Sequence, residues 1–219
     1  MKTALVAGAT GLVGGDVLRL LLEDRMYDRV VALARRPLGI KDPRLEERLV
    51  DFDRLDATDL AADHVFCALG TTMKHAGSRE AFRKVDYDYV RLLAEGSRAG
   101  GARVFALVSA VGANPKSGNF YLRVKGEAEQ AVTSAGFDAV HIMRPGVLLG
   151  QRNEHRTGEA IGIRVFKALN WALIGPLHKY RPIRAVDVAC AMIGAAADTA
   201  RGVRIYQFDE MWHLSRGGQ

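Results

Sequence analysis

The chain has 219 residues, 48% hydrophobic and 26% charged, the make-up of an ordinary soluble globular protein long enough to bury a substantial core in one domain spanning 1–219. That balance excludes a disordered or collagen-like chain; the six histidines and two cysteines, Cys67 and Cys190, show no CxxC or HExxH spacing, so no metal site is expected and the cysteines read as reduced core thiols. The formal charge of +6 is local, because residues 141–185 hold eight Lys or Arg against two Glu; this suits a small anionic ligand or a surface contact better than a stripe tracking nucleic acid, and no nucleic-acid partner is expected.

The N-terminal MKTALVAGATGLVGG has an apolar run that glycines break at once, with no cleavage site after a sustained apolar segment, so a cytoplasmic protein beginning with a strand is expected. KTALVAG reads as a buried strand, GLVGGDVLRLLLED as an amphipathic helix and RVVALAR as a second strand, one βαβ unit. ERLVDF and HVFCALG read as strands, SREAFRKVDYDYVRLLAEGSRAG as one long helix with Ser78 as its N-cap, and RVFALVSA as a strand. FYLRVKGEAEQAVTSAG is predicted to be a helix ending at Gly136, followed by a strand, FDAVHIMRP, that Pro145 stops. Beyond residue 150 come a charged loop, a helix near 157–172, the helix VDVACAMIGAAADTA, the strand VRIYQF and a short tail.

Strands alternating with helices, in apolar runs rather than in period two, predict an α/β, doubly wound, mainly parallel sheet with helices on both faces. Residues from about 146 onward are expected to supply a small substrate-side extension. The stretch VFKALNWALIGPL, residues 165–177, is too short to span a bilayer and contains Lys167. It reads as a core or pocket-lining helix, with peripheral membrane contact through Trp171 as the alternative.

Gly8, Gly11 and Gly14 form GATGLVG between the first strand and helix. There glycines admit a tight turn and let a pyrophosphate reach the helix N-terminus; the competing reading is a turn needed only for packing. Where an NAD site carries an acidic residue after the second strand, this chain has LARRPL, with Arg35 and Arg36. The pair favours NADP(H) over NAD(H), the alternative being a solvated basic pair; Asp51 is a candidate for the adenine edge.

Tyr121 and Lys125 are four apart on a predicted helix, so phenol and ammonium share a face. They are either a proton relay or an aromatic ring beside a lysine stem. A fixed ammonium beside a tyrosine favours the phenolate and makes it a usable acid–base.

These motifs, with Ser109 at the end of a strand and YLRVK, resemble the glycine motif, serine and YxxxK pair of the short-chain dehydrogenase/reductases. CALGTTMKHAGSREAFRKVD, LVSAVGANPKSGNFYLRVKGEAE and RPGVLLGQRNEHRTGE are similar to the atypical branch that includes the Tat-interacting oxidoreductases. The resemblance covers nearly all of residues 1–190. It implies a Rossmann fold, NADP(H), a carbonyl or alcohol substrate, and a catalytic role for Ser109, Tyr121 and Lys125, without naming the substrate or an oligomeric state. Cofactor contacts are implied for Gly8, Thr10, Gly11, Leu12, Val13 and Gly14, for Arg35 and Arg36, and for Asp51 and Phe52. Leu69, Gly70 and Thr71 are implied after the fourth strand, with Pro145, Tyr121 and Lys125 at the nicotinamide end.

The resemblance has departures. Asp86 stands where an asparagine often extends the relay, and it could anchor backbone, meet substrate or weaken the relay. Sugar-nucleotide chemistry is disfavoured because the longer C-terminal domain is not seen. Arg152 and Arg156 are candidates for gripping an anionic substrate, or for pairing with Glu154 and Glu159 instead. A cofactor-sensing or partner-binding protein on the same fold is the alternative to an enzyme.

Overall fold

The structure is a computed structural model that describes residues 1–55, 60–150, 175–198 and 200–217. Its centre is a seven-stranded sheet of β1 (Thr3–Ala7), β2 (Arg29–Ala34), β3 (Leu45–Leu49), β4 (His64–Cys67), β5 (Val104–Val108), β6 (Ala139–Met143) and β9 (Gly202–Tyr206). They lie in the order β3-β2-β1-β4-β5-β6-β9, each neighbouring pair parallel. A separate two-stranded ladder pairs β7 (Leu148–Leu149) with β8 (Ile183–Arg184). The strand order reverses beside β1, where such a sheet opens a crevice at its carboxyl edge.

Helices cover both faces, which is why the central strands read as apolar runs. Val6, Phe66, Ala106 and Met143 join one core with α1 (Leu12–Glu23), α6 (Ala185–Ala197) and α7 (Phe208–Leu214), through Val17, Val188 and Met211 among others. Leu5, Val65, Phe105 and Ile142, one residue out of step, join the other core with Leu93 of α4 (Tyr89–Ala99) and Val132 of α5 (Phe120–Ser134). At about 25 cal/mol per Å² of apolar surface buried, these two interfaces are the main favourable contribution to folding.

Local signals set most boundaries. The Ser78 hydroxyl accepts the Ala81 N–H and starts α3 (Arg79–Arg83), as expected of an N-cap. α5 ends just short of Gly136, whose φ of +84° takes the chain out of the helix.

Two strand expectations are corrected, while the helix expected from 78 to 100 runs unbroken from Arg79 to Ala99, with a π turn at Lys84–Asp88 joining α3 to α4. A short helix, α2 (Met73–Ala76), precedes them. The ERLVDF strand lies earlier, at 45–49, because Asp51 turns the chain into a 3-10 turn by accepting the Asp53 N–H. The C-terminal strand stops at Tyr206, and the expected tail begins with α7, where the Glu210 carboxylate accepts the Gln207 N–H. The helix expected near 157–172 lies outside the described residues. α6 and β9 complete the main helix layer and sheet, leaving the β7–β8 ladder and the 3-10 turn Gly175–Tyr180 as the other described parts of the C-terminal region.

Candidate functional site

An open cleft of about 1850 Å³ runs along the carboxyl edge of the sheet from the β1–α1 turn to the β4 turn. It exceeds the roughly 300–1,000 Å³ of a small-molecule pocket. Its floor is glycine for steric reasons. Gly8 has φ +92°, and a Cβ there would stand 2.5 Å from the Ala68 carbonyl oxygen; a Cβ on Gly14 would stand 2.1 Å from the Gly8 carbonyl oxygen. Gly8 therefore makes the turn and Gly14 lets α1 sit against it. Gly11 is the N-cap of α1, which has no side-chain cap and no acidic residue in its first turn. Such a bare N-terminus favours an anion.

Thr10, Gly11 and Leu12 line the cleft, as do Arg35 and Arg36 after β2 and Phe52 with Leu69, Gly70 and Thr71. Both arginines are exposed, and among the described residues no ion pair engages either. The residues present thus fit a dinucleotide: a turn that admits no side chain, a free helix N-terminus and two uncommitted guanidinium groups. Val13 instead faces the core at 4% exposure, and Asp51 caps its own turn outside the cleft lining. Pro145 is buried outside that lining too, its carbonyl accepting the Val111 N–H.

Tyr121 and Lys125 of α5 are outside the cleft lining; Lys125 is buried, and its Nζ stands 2.8 Å from Asp86 Oδ1. Asp86 is fully buried, and its second oxygen accepts the Thr71 N–H at 2.9 Å. The pair lies directly beneath the cleft-lining turn at Gly70: a Cβ there would be 3.3 Å from Asp86 Oδ1 and 3.5 Å from Lys125 Nζ. Asp86 reaches this place from the π turn, a local widening of the helix that often accompanies functional sites. Burial opposes the Lys125 charge, but Asp86 and Tyr121 together hold the ammonium above its ordinary range.

Tyr121, one turn before Lys125, packs its ring 5.6 Å from that of Phe82 and stays 37% exposed. Burial raises the pKa of its phenol, Lys125 lowers it and Asp86 raises it again, and the balance is upward. The expected shift toward phenolate is therefore corrected. Burial outweighs the ammonium that would have supplied it, with Asp86 adding to the upward side.

Ser109 is placed differently from what was expected. Its hydroxyl, at 5% exposure, donates to Glu129 Oε1 at 2.5 Å, and Arg144 donates to both Glu129 oxygens at 2.9 and 2.5 Å. A serine has one O–H to donate, and this one is spent on a charged, buried acceptor two helical turns beyond Tyr121. The Glu129–Arg144 pair was missed in the sequence, since its partners come from α5 and the end of β6. The cleft residues Tyr89 and Arg184 were also missed. Arg152 and Arg156 lie outside the described residues.

A model of the NAD(P)H-binding family matches residues 8–165. The chain belongs to that family. Protein HTATIP2 of Rattus norvegicus is 38% identical over 179 residues, 78% of this chain and 74% of that protein. Protein FMP52-1, mitochondrial, of Scheffersomyces stipitis is 32% identical over 225 residues, 97% of this chain and 98% of its own. The FMP52 relatives are named mitochondrial, which overturns the expected cytoplasmic location. Among solved structures, MoeE5 in complex with UDP-glucuronic acid and NAD superposes with a TM-score of 0.72 at 19% identity, over 93% of this chain and 75% of its own. The human epimerase family protein SDR39U1 (isoform 2) with NADPH superposes at 0.62 and 19%, over 94% and 74%. The fold is thus the NAD(P)-binding, oxidoreductase-like Rossmann fold of the atypical short-chain dehydrogenase/reductase type.

Proposed function

We propose that this chain is an NADP(H)-dependent oxidoreductase acting on a small carbonyl or alcohol, with Tyr121 exchanging the proton and Lys125 holding the cofactor ribose. The observation that carries this reading is the position of Lys125 Nζ beneath Gly70, a residue lining the same cleft as the glycine turn. Gly11 and Gly70 line one cleft, so a dinucleotide held by the glycine turn could also meet the turn above that ammonium. When bound, the nicotinamide supplies or accepts hydride. Tyr121, with its phenol protonated at neutral pH, is suited to donating a proton to a carbonyl oxygen. Arg35 and Arg36 support NADP(H), because nothing acidic follows β2 to receive a ribose 2′-hydroxyl. Ser109, its proton committed to Glu129, is left out of the set of donors.

A second reading, a cofactor-sensing protein without turnover, is favoured by the same buried pairs. Both the Ser109 hydroxyl and the Lys125 charge already have partners. The test measures NADPH binding by its fluorescence and NADPH oxidation across neutral and acid-bearing aldehydes and ketones. Turnover of any of them, lost on Tyr121→Phe, is the expected result. Tight binding with no turnover across the panel selects the sensor, and no binding overturns both readings.

A further inference from the structure

The carboxylate of Asp86 has no place in the Ser-Tyr-Lys scheme, yet it is fully buried among the groups on which that scheme depends. Burying a carboxylate costs several kcal/mol unless it is paired and hydrogen-bonded. Here both conditions are met by site residues, the Lys125 ammonium on one oxygen and the Thr71 N–H on the other. Neither oxygen is exposed for a substrate, so direct substrate contact is excluded as the role of Asp86.

We propose that Asp86 is the positioning residue of this site, fixing Lys125 Nζ beneath the Gly70–Thr71 turn. The proposal rests on the oxidoreductase reading for its purpose, although its geometry does not. Three elements converge on one carboxylate: the π turn that carries it, the β4 turn through Thr71 and α5 through Lys125. The charged or titratable groups acting on the phenol are Lys125 from its own helix and Asp86 from the π turn. Those acting on the ammonium are Asp86, Tyr121 and the Cys67 thiol of β4, which burial pushes up to about 12 and so keeps neutral. Asp86 is thus the one full negative charge among these groups, and replacing it with a neutral side chain leaves the buried Lys125 ammonium without its counter-charge.

The experiment needs neither cofactor nor substrate. Lys125 is titrated by NMR of its side chain in the protein, and again in the Asp86→Asn and Asp86→Ser backgrounds. With the negative charge gone, the burial of Lys125 is unopposed and its midpoint is expected to fall by on the order of one pH unit or more. A pair that stabilised the fold without governing the ammonium would leave that midpoint in place, so an unmoved midpoint in either folded variant overturns the proposal. Sucrose, which favours the compact state without altering the charges, keeps marginal variants folded. If neither variant folds, the unaltered protein decides. Lys125, followed by NMR of its side chain, must release its proton above the ordinary lysine value of about 10.4, and release at or below that value overturns the assignment. A protein that bound no NADPH but passed these tests would remove the functional reading and leave the role of Asp86 intact.

Discussion

The glycine turn of the cleft and the α5 residues near it are built by different means. At the β1–α1 turn the cleft surface is backbone: a positive-φ glycine, a second glycine packed on its carbonyl and an uncapped helix N-terminus. The candidate side chains at the α5 end lie behind the cleft lining and are held by buried charges, Asp86 under Lys125 and Glu129 between Ser109 and Arg144. Backbone sites tolerate any neighbouring chemistry that leaves the turn open. The α5 end depends on charge balance, so one neutralising substitution should disturb several groups there.

The largest expected effect separates chemistry from binding. Tyr121→Phe removes one oxygen, keeps the ring against Phe82, and should lower kcat by about 10²–10⁴-fold with NADPH affinity retained. Steady-state kinetics beside a binding titration would measure both. Retained turnover would reduce the Tyr121–Lys125 pair to an ordinary helix face.

Next comes Glu129→Gln, which leaves the partly buried Arg144 guanidinium without its counter-charge and should cost on the order of 3–5 kcal/mol of stability by urea denaturation. Ser109→Ala, removing a hydrogen bond to that carboxylate, should cost about 1.5–3 kcal/mol. A Ser109→Ala variant of unchanged stability but lost turnover would return Ser109 to the chemistry and break the division drawn between the buried pairs.

The contrast between the two ends also explains what could be read from the chain. Glycine spacing between a strand and a helix is a local pattern with few physical uses, so Gly8, Gly11 and Gly14 announced the turn, and alternating apolar runs announced the layered sheet. Tyr121 and Lys125 were visible because four residues is a helix period. Asp86 and Lys125 are 39 positions apart, and Glu129 and Ser109 are 20 apart on different elements. No period links them, so sequence suggested only that Asp86 was a departure. The π turn was hidden for a related reason: its residues have helical preferences, and the widened hydrogen-bonding arises where Asp86 is drawn into the interior.

Acid sensitivity offers a check from the opposite face. His64 and His141 are buried on the α1–α6 side, against the hydroxyls of Tyr27 and Tyr206, and burial holds both imidazoles down to about 4. The nearby charges are Lys2 and Asp63 for the first, Asp198 and Arg204 for the second. In the unfolded chain a histidine titrates near 6.5, so the unfolded state binds more protons between about 4 and 6.5. The stability these rings contribute is complete above 6.5 and is lost as pH falls toward 4, on the order of 3 kcal/mol for each. Urea midpoints at several pH values would show it. A double variant, His64→Gln with His141→Gln, should flatten the slope between pH 6.5 and 5, where most carboxylates remain charged. An unchanged slope would show that neither ring carries the acid loss.

The smallest expected effect concerns the backbone-built end, where a single side chain adds selectivity rather than the site itself. Arg35 follows β2, lines the cleft and is engaged by no ion pair among the described residues. An exposed guanidinium carries little stability, so Arg35→Ala should leave the urea midpoint nearly unchanged. It should weaken NADPH binding by about 1.5–3 kcal/mol, the worth of a charge-assisted contact, and leave NADH binding almost untouched. Raising the salt concentration should narrow the NADPH–NADH gap in the unaltered protein and do so less in the variant, because the contact is solvent-facing and screened. Arg36, beside it, can take up part of the phosphate contact, so the lower end of that range is expected for the single variant and the upper end when both arginines are replaced. Equal affinity for the two cofactors in the unaltered protein would make this end a plain dinucleotide cradle, with the basic pair reduced to solvated surface charge.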